Sequence, residues 1–403
     1  MRFCQFYRKV LYRAKNEIPS VSNLTTSSSK NTKDETLDND LRKSFSTASQ
    51  WQLMWWKFRR HRIAVWSMMM LACLYLMALF CEFLAPYPLS FQDTSYAYAP
   101  PQRIHFISDD GLHLWPFVYG LKGKRDPETL QKSYQEDKKH KYPIQLFTQG
   151  HPYRFWGLFE TKIHLIGIGD GGTLFLLGTD SMGRDLLSRI IYGARISLTI
   201  GLIGVGMSFF LGLLIGVVSG YYGGWVDNVI QRIIEIIRSF PQIPLWMALS
   251  AVLPSTWSPI QIYFGITVVL SIIGWTGLAR QVRSKILSLR EEDFATAAML
   301  AGASQIRIML HHLLPSFMSH IIVSLTLAIP GMIIGETSLS FLGLGLRPPI
   351  TSWGVLLQEA QNIQTVAFYP WLLTPSVFVI LTVLVFNFMG DGLRDAADPY
   401  DRG

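Results

Sequence analysis

Histidine and cysteine side chains are the residues of this sequence best suited to bind a metal. His311 and His312 are adjacent, so on a helix their side chains point about 100° apart and cannot share one ion. The three cysteines, Cys4, Cys73 and Cys81, have none of the spacings that zinc sites use, and they suggest no disulfide framework. We therefore expect no metal site in this chain.

The sequence also lacks the motifs of common catalytic sites. It contains no GxxxxGK[ST] phosphate loop, no HExxH motif and no nucleophile elbow. Paired carboxylates placed for general acid and base catalysis are missing as well. We expect this chain to have no catalytic residue and to leave any ATP chemistry to another protein.

A polar stretch of roughly twenty residues, Phe294 to Pro315, separates two long apolar runs. On a continuous α-helix, Ala295, Ala298, Gly302 and Gln305 would form one narrow stripe, with apolar residues beside it. Small side chains let another surface approach closely, and a glycine inside a helix costs about 1 kcal/mol relative to alanine. Two interpretations stay open at this point: a docking site for a partner protein, and an ordinary amphipathic helix of the core.

The same stretch resembles the cytoplasmic coupling segment of ABC importer permeases. The family pattern is Glu-Ala-Ala, three residues, Gly, and then Leu-Pro after eleven further positions. Thr296 stands where the pattern has Glu, and His312 stands where it often has an aliphatic residue. The resemblance implies contact with an ATPase subunit. Because Thr296 replaces the Glu of the pattern, this contact would lack one negative charge. Five residues match the spacing: Ala297, Ala298, Gly302, Leu314 and Pro315.

The composition indicates an integral membrane protein. Of the 403 residues, 49% are hydrophobic and 16% are charged, whereas soluble domains carry about a quarter charged residues. The net charge of +8 lies in tails and loops, which fits membrane topology and attraction to lipid headgroups. No basic stripe interleaved with aromatic residues indicates a nucleic-acid partner.

The apolar runs predict an all-α fold of six transmembrane helices with both termini in the cytoplasm. Basic residues precede the first run and follow the fourth, which places those ends inside the cell. The third run, Phe240–Leu253, contains two prolines and is predicted to be kinked. Gly212, Gly216 and Gly220 recur on one face of the second run and predict close helix packing. The predicted divisions are a disordered cytoplasmic tail without a signal peptide (1–50), an interfacial amphipathic helix (51–62), the first span (63–85), an external insertion and elbow (86–196), the remaining five spans (197–390, with the coupling segment at 290–315) and a cytoplasmic tail (391–403).

The long insertion after the first span admits two structural interpretations. It contains a charged run, Lys122–Lys141, and two aromatic clusters, LWPFVYG and YRFWGLF. Long loops cross membranes largely regardless of their charge, so the charged run does not oppose an external location. The aromatic clusters could pack a small external subdomain or lie on the membrane surface, and both interpretations stay open.

Two acidic residues lie near the predicted ends of spans. Glu82 follows the first span and Glu336 follows the fifth. Ionisable residues in membrane spans are candidates for function by default. We expect each of them either to contact cargo or a neighbouring subunit, or to lie at a solvated helix end.

Two further segments resemble one branch of the permeases. GTDSMGRD with SRIIYGARISL (178–198) and ETSLSFLGLGLRPP (336–349) are very similar to segments of C-type subunits in the oligopeptide, dipeptide and nickel importer family. The resemblance implies a multi-pass protein of the bacterial inner membrane whose cargo is a peptide, with nickel chelates or opine-like solutes as alternatives. It also implies a heterodimer with a second permease subunit, two ATPase subunits that bind ATP and Mg, and a periplasmic solute-binding protein, with no cofactor in this chain.

Two other classes of function are compatible with a membrane protein of this composition. An ion-coupled secondary transporter or channel often has inverted repeats or acidic residues at mid-membrane, whereas here the two halves differ greatly in loop size. A membrane-anchored enzyme would use the insertion as its catalytic domain, but its His and Asp residues follow no recognisable spacing. The ion-coupled transporter is therefore the main alternative.

Deletion of residues 1–45 should leave transport largely unchanged, because their composition predicts a tail with too little apolar content to fold. Uptake by truncated and full-length chains, each assembled with the same partner subunits, measures this. Failure of the truncated chain to assemble would contradict the prediction of disorder.

Overall fold

The computed structural model describes residues 50–108, 111–125, 132–169, 172–254 and 256–397. Most of the predicted N-terminal tail, and the end of the predicted C-terminal tail, lie outside these ranges. The described residues from Met54 to Ala397 belong to one unit, and every contact reported below lies within it. The helices are α1 (Gln50–Arg60), α2 (Arg62–Leu79), α3 (Cys81–Leu84), α4 (Leu186–Tyr222), α5 (Gly224–Ser239), α6 (Gln242–Ala251), α7 (Pro259–Leu289), α8 (Asp293–Leu300), α9 (Gln305–Arg307), α10 (Leu314–Ser316), α11 (Met318–Phe341), α12 (Trp353–Gln358), α13 (Ile363–Phe368) and α14 (Thr374–Ala397).

Five helices in the described part of the chain are long and apolar enough to cross a membrane: α2, α4, α7, α11 and α14. The predicted elbow and second span join in α4, whose 37 residues rise about 55 Å. The predicted interfacial helix is α1, and His61 separates it from α2. The His61 ring accepts a hydrogen bond from the Ala64 N–H at 3.2 Å and so caps the start of α2.

The predicted third run, Phe240–Leu253, contains one short helix, the 10-residue α6. The 16-residue α5 ends just before this run at Ser239, and Phe240 between the two helices is extended. A proline has no N–H to donate and disfavours the helical conformation of the preceding residue, so Pro241 separates α6 from α5. The ten residues of α6 rise only about 15 Å, roughly half the hydrocarbon core of a bilayer.

Close packing of α4 against α7 forms the centre of the fold, and it confirms the role predicted for the glycine repeat. A Cβ on Gly212, Gly216 or Gly220 would lie 2.9, 2.7 or 2.9 Å from a backbone carbonyl oxygen of α7. Real Cβ atoms do not approach this closely, so only glycine permits the two backbones to touch. α11 packs against α4 from another side, and α14 packs against α2 and α11.

The insertion contains a four-stranded antiparallel sheet, so the predicted all-α fold is wrong for this part of the chain. The charged run lies largely in the β2–β3 pair, where Lys122 faces Gln135 and Arg125 faces Lys132. Antiparallel pairing satisfies the backbone of both strands while charged side chains point to solvent. The strands, in the order in which they are hydrogen-bonded, are β1 (His105–Ser108), β2 (Gly111–Arg125), β3 (Lys132–Phe155) and β4 (Phe159–Ile168).

Buried polar contacts join this sheet to the chain that leads into α4. Gln102 donates to the Tyr119 carbonyl at 3.0 Å and accepts from the Phe175 N–H at 2.5 Å. The Tyr87 hydroxyl accepts from the Leu174 N–H at 2.8 Å. Hydrogen bonds therefore attach the sheet and the segments that flank it to the chain entering α4, in addition to the covalent connections.

Glu336 lies inside α11 and is fully buried, so its interpretation as a solvated helix end is wrong. Its Oε1 accepts hydrogen bonds from Ser352 Oγ at 2.6 Å and from Ser340 Oγ at 2.8 Å, and its Oε2 accepts from Ser197 Oγ at 3.3 Å. Ser197 Oγ in turn accepts from the Trp353 N–H at 3.1 Å. The carboxyl group thus joins α4, α11 and the start of α12.

Replacement of Glu336 by Leu should strongly lower the thermal stability of the detergent-solubilised chain. It would leave the three serine hydroxyls without their buried acceptor, and each lost partner costs roughly 1–3 kcal/mol. Glu336→Gln keeps one side-chain oxygen and should cost less. Glu291→Leu is the control, because Glu291 is exposed after the end of α7 and forms a surface pair with Arg290. Equal melting temperatures for Glu336→Leu and Glu291→Leu would contradict the assignment.

Candidate coupling site

The polar stretch 294–315 is not one continuous helix, so the predicted stripe of small residues is wrong. α8 ends at Leu300, and Gly302 has φ +81°. The Gly302 N–H donates to the Met299 carbonyl at 3.0 Å, and the Ala303 N–H donates to the Ala298 carbonyl at 3.1 Å. This pair of bonds is the Schellman arrangement, which requires a left-handed residue at the position of Gly302. Glycine is needed here for its backbone conformation, because an added Cβ would meet nothing within 4 Å.

The second half of the stretch leads into the next long helix, α11, through a widened helical turn. Ser304 caps α9 by accepting the Arg307 N–H at 3.4 Å. Residues 308–313 then form a π-helical turn, in which the Leu314 N–H donates to the Met309 carbonyl. Pro315 has no N–H, so it cannot form the hydrogen bond to the carbonyl four residues earlier that a regular α-helix requires. The wider turn accommodates this gap, and the chain continues into α10 and α11.

The inner face of the stretch is anchored in an apolar cluster. The buried residues of this face pack against Val217 of α4 and against Val282 and Ile286 of α7. The predicted site residue Leu314 belongs to this face, and Ala298 is half-buried beside it. The remaining anchoring side chains are Ala295, Ile308, Met309, Leu313 and Phe317.

The outer face carries large apolar side chains that nothing in the described residues covers. Three predicted site residues, Ala297, Gly302 and Pro315, are also exposed on this stretch. Phe294 is 42% exposed, and four further apolar residues are more exposed; we call these four the outer patch: Met299 (59% exposed), Leu300 (82%), Ile306 (64%) and Leu310 (50%). An exposed apolar patch of this kind is typical of a protein-binding site.

Charged contacts hold the helix ends next to this stretch. Asp227 of α5 accepts two hydrogen bonds from the Arg283 guanidinium of α7 and one from Ser219 Oγ of α4. The bonds from Arg283 hold the pKa of the Asp227 carboxyl below its ordinary value. Arg290 donates to the Tyr221 carbonyl at 3.2 Å and so closes the end of α7 onto the end of α4. These contacts give the stretch a stiff support.

Glu82 lies at the opposite end of α4. Arg195 donates to both of its oxygens, each at 2.6 Å, and this pair joins α3 to α4. Burial favours a higher pKa, but the bonds from Arg195 outweigh it and hold the pKa of Glu82 below its ordinary value. Arg195 is about 37 Å along α4 from Gly220. Neither Glu82 nor Glu336 is therefore close to the outer patch.

A second charged cluster, which the sequence reasoning did not identify as a site, lies before the start of α4. Asp180 accepts from Arg184 Nε at 2.7 Å and pairs with Arg189, and Arg184 also bonds to Glu359 at 3.4 Å. Burial and the nearby Asp180 raise the pKa of Glu359. Asp185 caps α4 through the Ser188 N–H at 2.8 Å, and burial raises the pKa of its carboxyl to about 7. The charged residues of GTDSMGRD indicated part of this cluster in the sequence. Its remaining member, Glu359, could not be identified from them because it lies 179 positions after Asp180.

A cavity of about 240 Å³ lies between α4, α6, α7 and α11. Its wall is partly polar, because Ser208, Gln242, Gln281 and Ser324 line it alongside apolar residues such as Trp246. Polar side chains that face a cavity within a bundle of membrane helices are candidates for contact with a solute.

Comparison with known proteins agrees with this architecture. Residues 212–400 match the family described as binding-protein-dependent transport system inner membrane component, and residues 49–101 match the N-terminal transmembrane domain of oligopeptide transport permease C. The chain is 43% identical over 226 residues to the oligopeptide transport system permease protein OppC of Haemophilus influenzae, covering 56% of this chain and 70% of that one. It is 42% identical over 224 residues to the dipeptide permease DppC of Alkalihalophilus pseudofirmus, covering 55% and 71%. It is 32% identical over 357 residues to DppC of Lactococcus lactis, covering 87% and 91%.

The chain belongs to the binding-protein-dependent ABC importer permeases, in the branch of the C-type oligopeptide and dipeptide permeases. This confirms the predicted family and the location in the cytoplasmic membrane. The family model covers the helices that carry the candidate coupling site, from the glycine repeat of α4 through α14.

Gly302→Ala should loosen the end of α8, because a left-handed conformation costs a residue with a Cβ about 1–2 kcal/mol. Gly302→Asn should cost less, since Asn tolerates this conformation. Gly206→Ala is the matched control: Gly206 also has open space around an added Cβ, but it lies inside α4 without a positive φ. Hydrogen exchange at residues 297–303 measures the effect. Equal exchange in the two alanine variants would show that the conformation of Gly302 does not limit its replacement.

Proposed function

We propose that this chain is the permease subunit through which two ATPase subunits drive peptide import, and that an ATPase docks on the outer patch. The observation that carries this proposal is the division of the stretch 294–315 into two faces. Its inner face is packed onto α4 and α7, while Leu300 and Ile306 stand exposed beside the motif residues Ala297 and Gly302. Covering these side chains by an ATPase would remove them from water, which is worth about 25 cal/mol per Å² of apolar surface.

The mechanism follows from the rigidity of this support. A push on the outer patch is passed to α7 and α11, because the stretch connects the end of one to the start of the other. Contacts through Asp227, Arg283 and Arg290 tie α4 and α5 to the same movement. Of these helices, α4, α7 and α11 also line the cavity, opposite Gln242 of α6, so their tilting would open or close that space during ATP binding and hydrolysis. Alternating access of this kind needs no nucleotide site in this chain.

The proposed topology has six crossings, with both termini and the outer patch on the cytoplasmic side. The second half of α5 together with α6 forms the sixth crossing, bent at Phe240. Basic residues support this orientation, because Arg280, Arg283, Lys285 and Arg290 lie in the final turns of α7 and at its end, next to the coupling stretch. The insertion with its sheet then lies on the external side, together with α12 and α13.

The proposed cargo is an oligopeptide or a dipeptide. The three relatives described above are oligopeptide and dipeptide permeases. One chain supplies half of a transport pathway, so we propose a heterodimer with a second permease, two ATPase subunits that bind ATP and Mg, and an external solute-binding protein. An ion-coupled transporter would not account for an anchored stretch that exposes its apolar side chains away from the helices.

Leu300→Asp should weaken ATPase binding by roughly 10- to 100-fold, because a charge would replace a side chain that contributes about 1.5–3 kcal/mol when buried. Leu300 is 82% exposed in the isolated chain, so the fold itself should not change. Ile363→Asp is the control: Ile363 is 84% exposed but lies in α13, on the proposed external side. Co-purification with the ATPase subunits compares the two. Equal loss in both variants, or in neither, would contradict the docking site.

Peptide uptake into vesicles containing the complete importer should require ATP and all subunits. The chain reconstituted alone, under a proton or sodium gradient, should show no uptake above that of empty vesicles. Robust gradient-driven uptake by the chain alone would overturn the proposed function in favour of an ion-coupled transporter.

A further inference from the structure

The β3–β4 hairpin exposes apolar side chains that a soluble sheet would bury. Its turn runs through Trp156, with φ +51°, and Gly157, with φ +73°, and the Leu158 N–H donates to the Phe155 carbonyl at 2.9 Å. A bulky residue rarely adopts a positive φ, so the backbone conformation of Trp156, which directs its side chain, costs conformational free energy. The exposed large apolar residues of the hairpin are Leu146, Phe147, Trp156, Leu158, Phe159 and Ile163.

This hairpin packs against the end of the membrane-spanning helix α2. Trp156 Nε1 donates to the Leu79 carbonyl at 3.0 Å, which is one of the last carbonyls of α2. The ring of Phe155 stacks on Phe80 with centroids 6.1 Å apart. The Arg195 guanidinium lies 4.6 Å from the centroid of the Trp156 ring, so α4 also contacts the turn. The exposed residues of the hairpin are therefore continuous with the lipid-facing surface of α2.

A groove of about 690 Å³ runs between the hairpin and α2, and its wall is almost entirely apolar. It reaches from Cys73 to Leu84, so it covers about the last 9 Å of α2 before the helix ends at Leu79. Cys73 is exposed and opens into this groove. The other wall is formed by side chains of β3 and β4, including Phe155, Phe159 and Ile163.

We propose that the β3–β4 hairpin is a membrane anchor: its turn inserts into the lipid leaflet at the C-terminal end of α2, and a phospholipid acyl chain fills the groove. The occupant follows from the position of the groove. Because α2 crosses the bilayer, a groove along its last two turns opens into hydrocarbon or the headgroup boundary rather than into water. Trp156 would then occupy the interfacial zone that tryptophan favours, with Leu158 pointing deeper.

The opposite end of the sheet supports the same orientation. The β2–β3 pair ends in charged residues, where Lys124 faces Ser133 and Arg125 faces Lys132. One end of the sheet is thus polar while the hairpin at the other end is apolar. If the β3–β4 turn inserts into the membrane, the apolar hairpin lies in lipid and the charged end of the β2–β3 pair lies in water.

The test uses depth-dependent quenching in lipid nanodiscs. A bimane label on Leu158→Cys or on Lys138→Cys, each in a Cys4→Ser and Cys73→Ser background that keeps the buried Cys81, reports the hairpin and an exposed site on the polar half of β3. Lipids brominated near the headgroup should quench the Leu158→Cys label at least twofold, whereas aqueous iodide should quench only the Lys138→Cys label. Restoring Cys73 as the sole labelled site tests the groove, and bromines further along the acyl chain should quench it most.

Several outcomes would overturn the anchor. One is equal quenching by iodide at Leu158→Cys and Lys138→Cys, which would place the turn in water. Another is protection of the Leu158→Cys label only after the second permease or a solute-binding protein is added, which would make the hairpin a protein interface. Iodide quenching of the Cys73 label without quenching by brominated chains would show that the groove holds water instead of lipid.

Discussion

Backbone contact between α4 and α7 is the constraint on which the rest of this structure depends. In lipid there is no hydrophobic force to bring two apolar helices together, so their attraction comes from packing at short range. Gly212, Gly216 and Gly220 allow that packing because they present no Cβ to the carbonyl groups of the facing helix. The pair provides the surface on which α11 packs, and the stretch 294–315 packs against its end.

Polar groups inside this bundle are paired almost wherever they occur, because unpaired ones are costly away from water. Glu336 collects hydrogen bonds from three serines on different segments. Glu82 is held by Arg195 at one end of α4, and Asp227 is held by Arg283 near the other. Such contacts restrict the relative positions of the helices more than apolar packing does, because each hydrogen bond requires a particular distance and direction.

The stretch 294–315 packs one face against the helices and leaves the other face exposed, within little more than twenty residues. The break at Gly302 is what makes this possible: a straight helix would run past the ends of α4 and α7, whereas the turn folds the second half back so that Ile308 and Leu313 are buried. Residues of the same stretch, Leu300 and Ile306, are left pointing outward. A partner that holds these side chains would act directly on the packed helices.

The sequence by itself determined the membrane class, the places of the long apolar helices, the glycine contact and the family motif, because each of these depends on residues close together in the chain. The tertiary structure decided three other points: the sheet in the insertion, the burial of Glu336 and the reason for Gly302. Strand pairing and the burial of a carboxylate depend on partners far away in sequence, such as Ser197 for Glu336, and helical periodicity carries no information about them. For Gly302 the helical periodicity gave a wrong prediction, because the stripe of small residues assumed one continuous helix with 100° per residue. That assumption cannot reveal where a left-handed residue ends the helix.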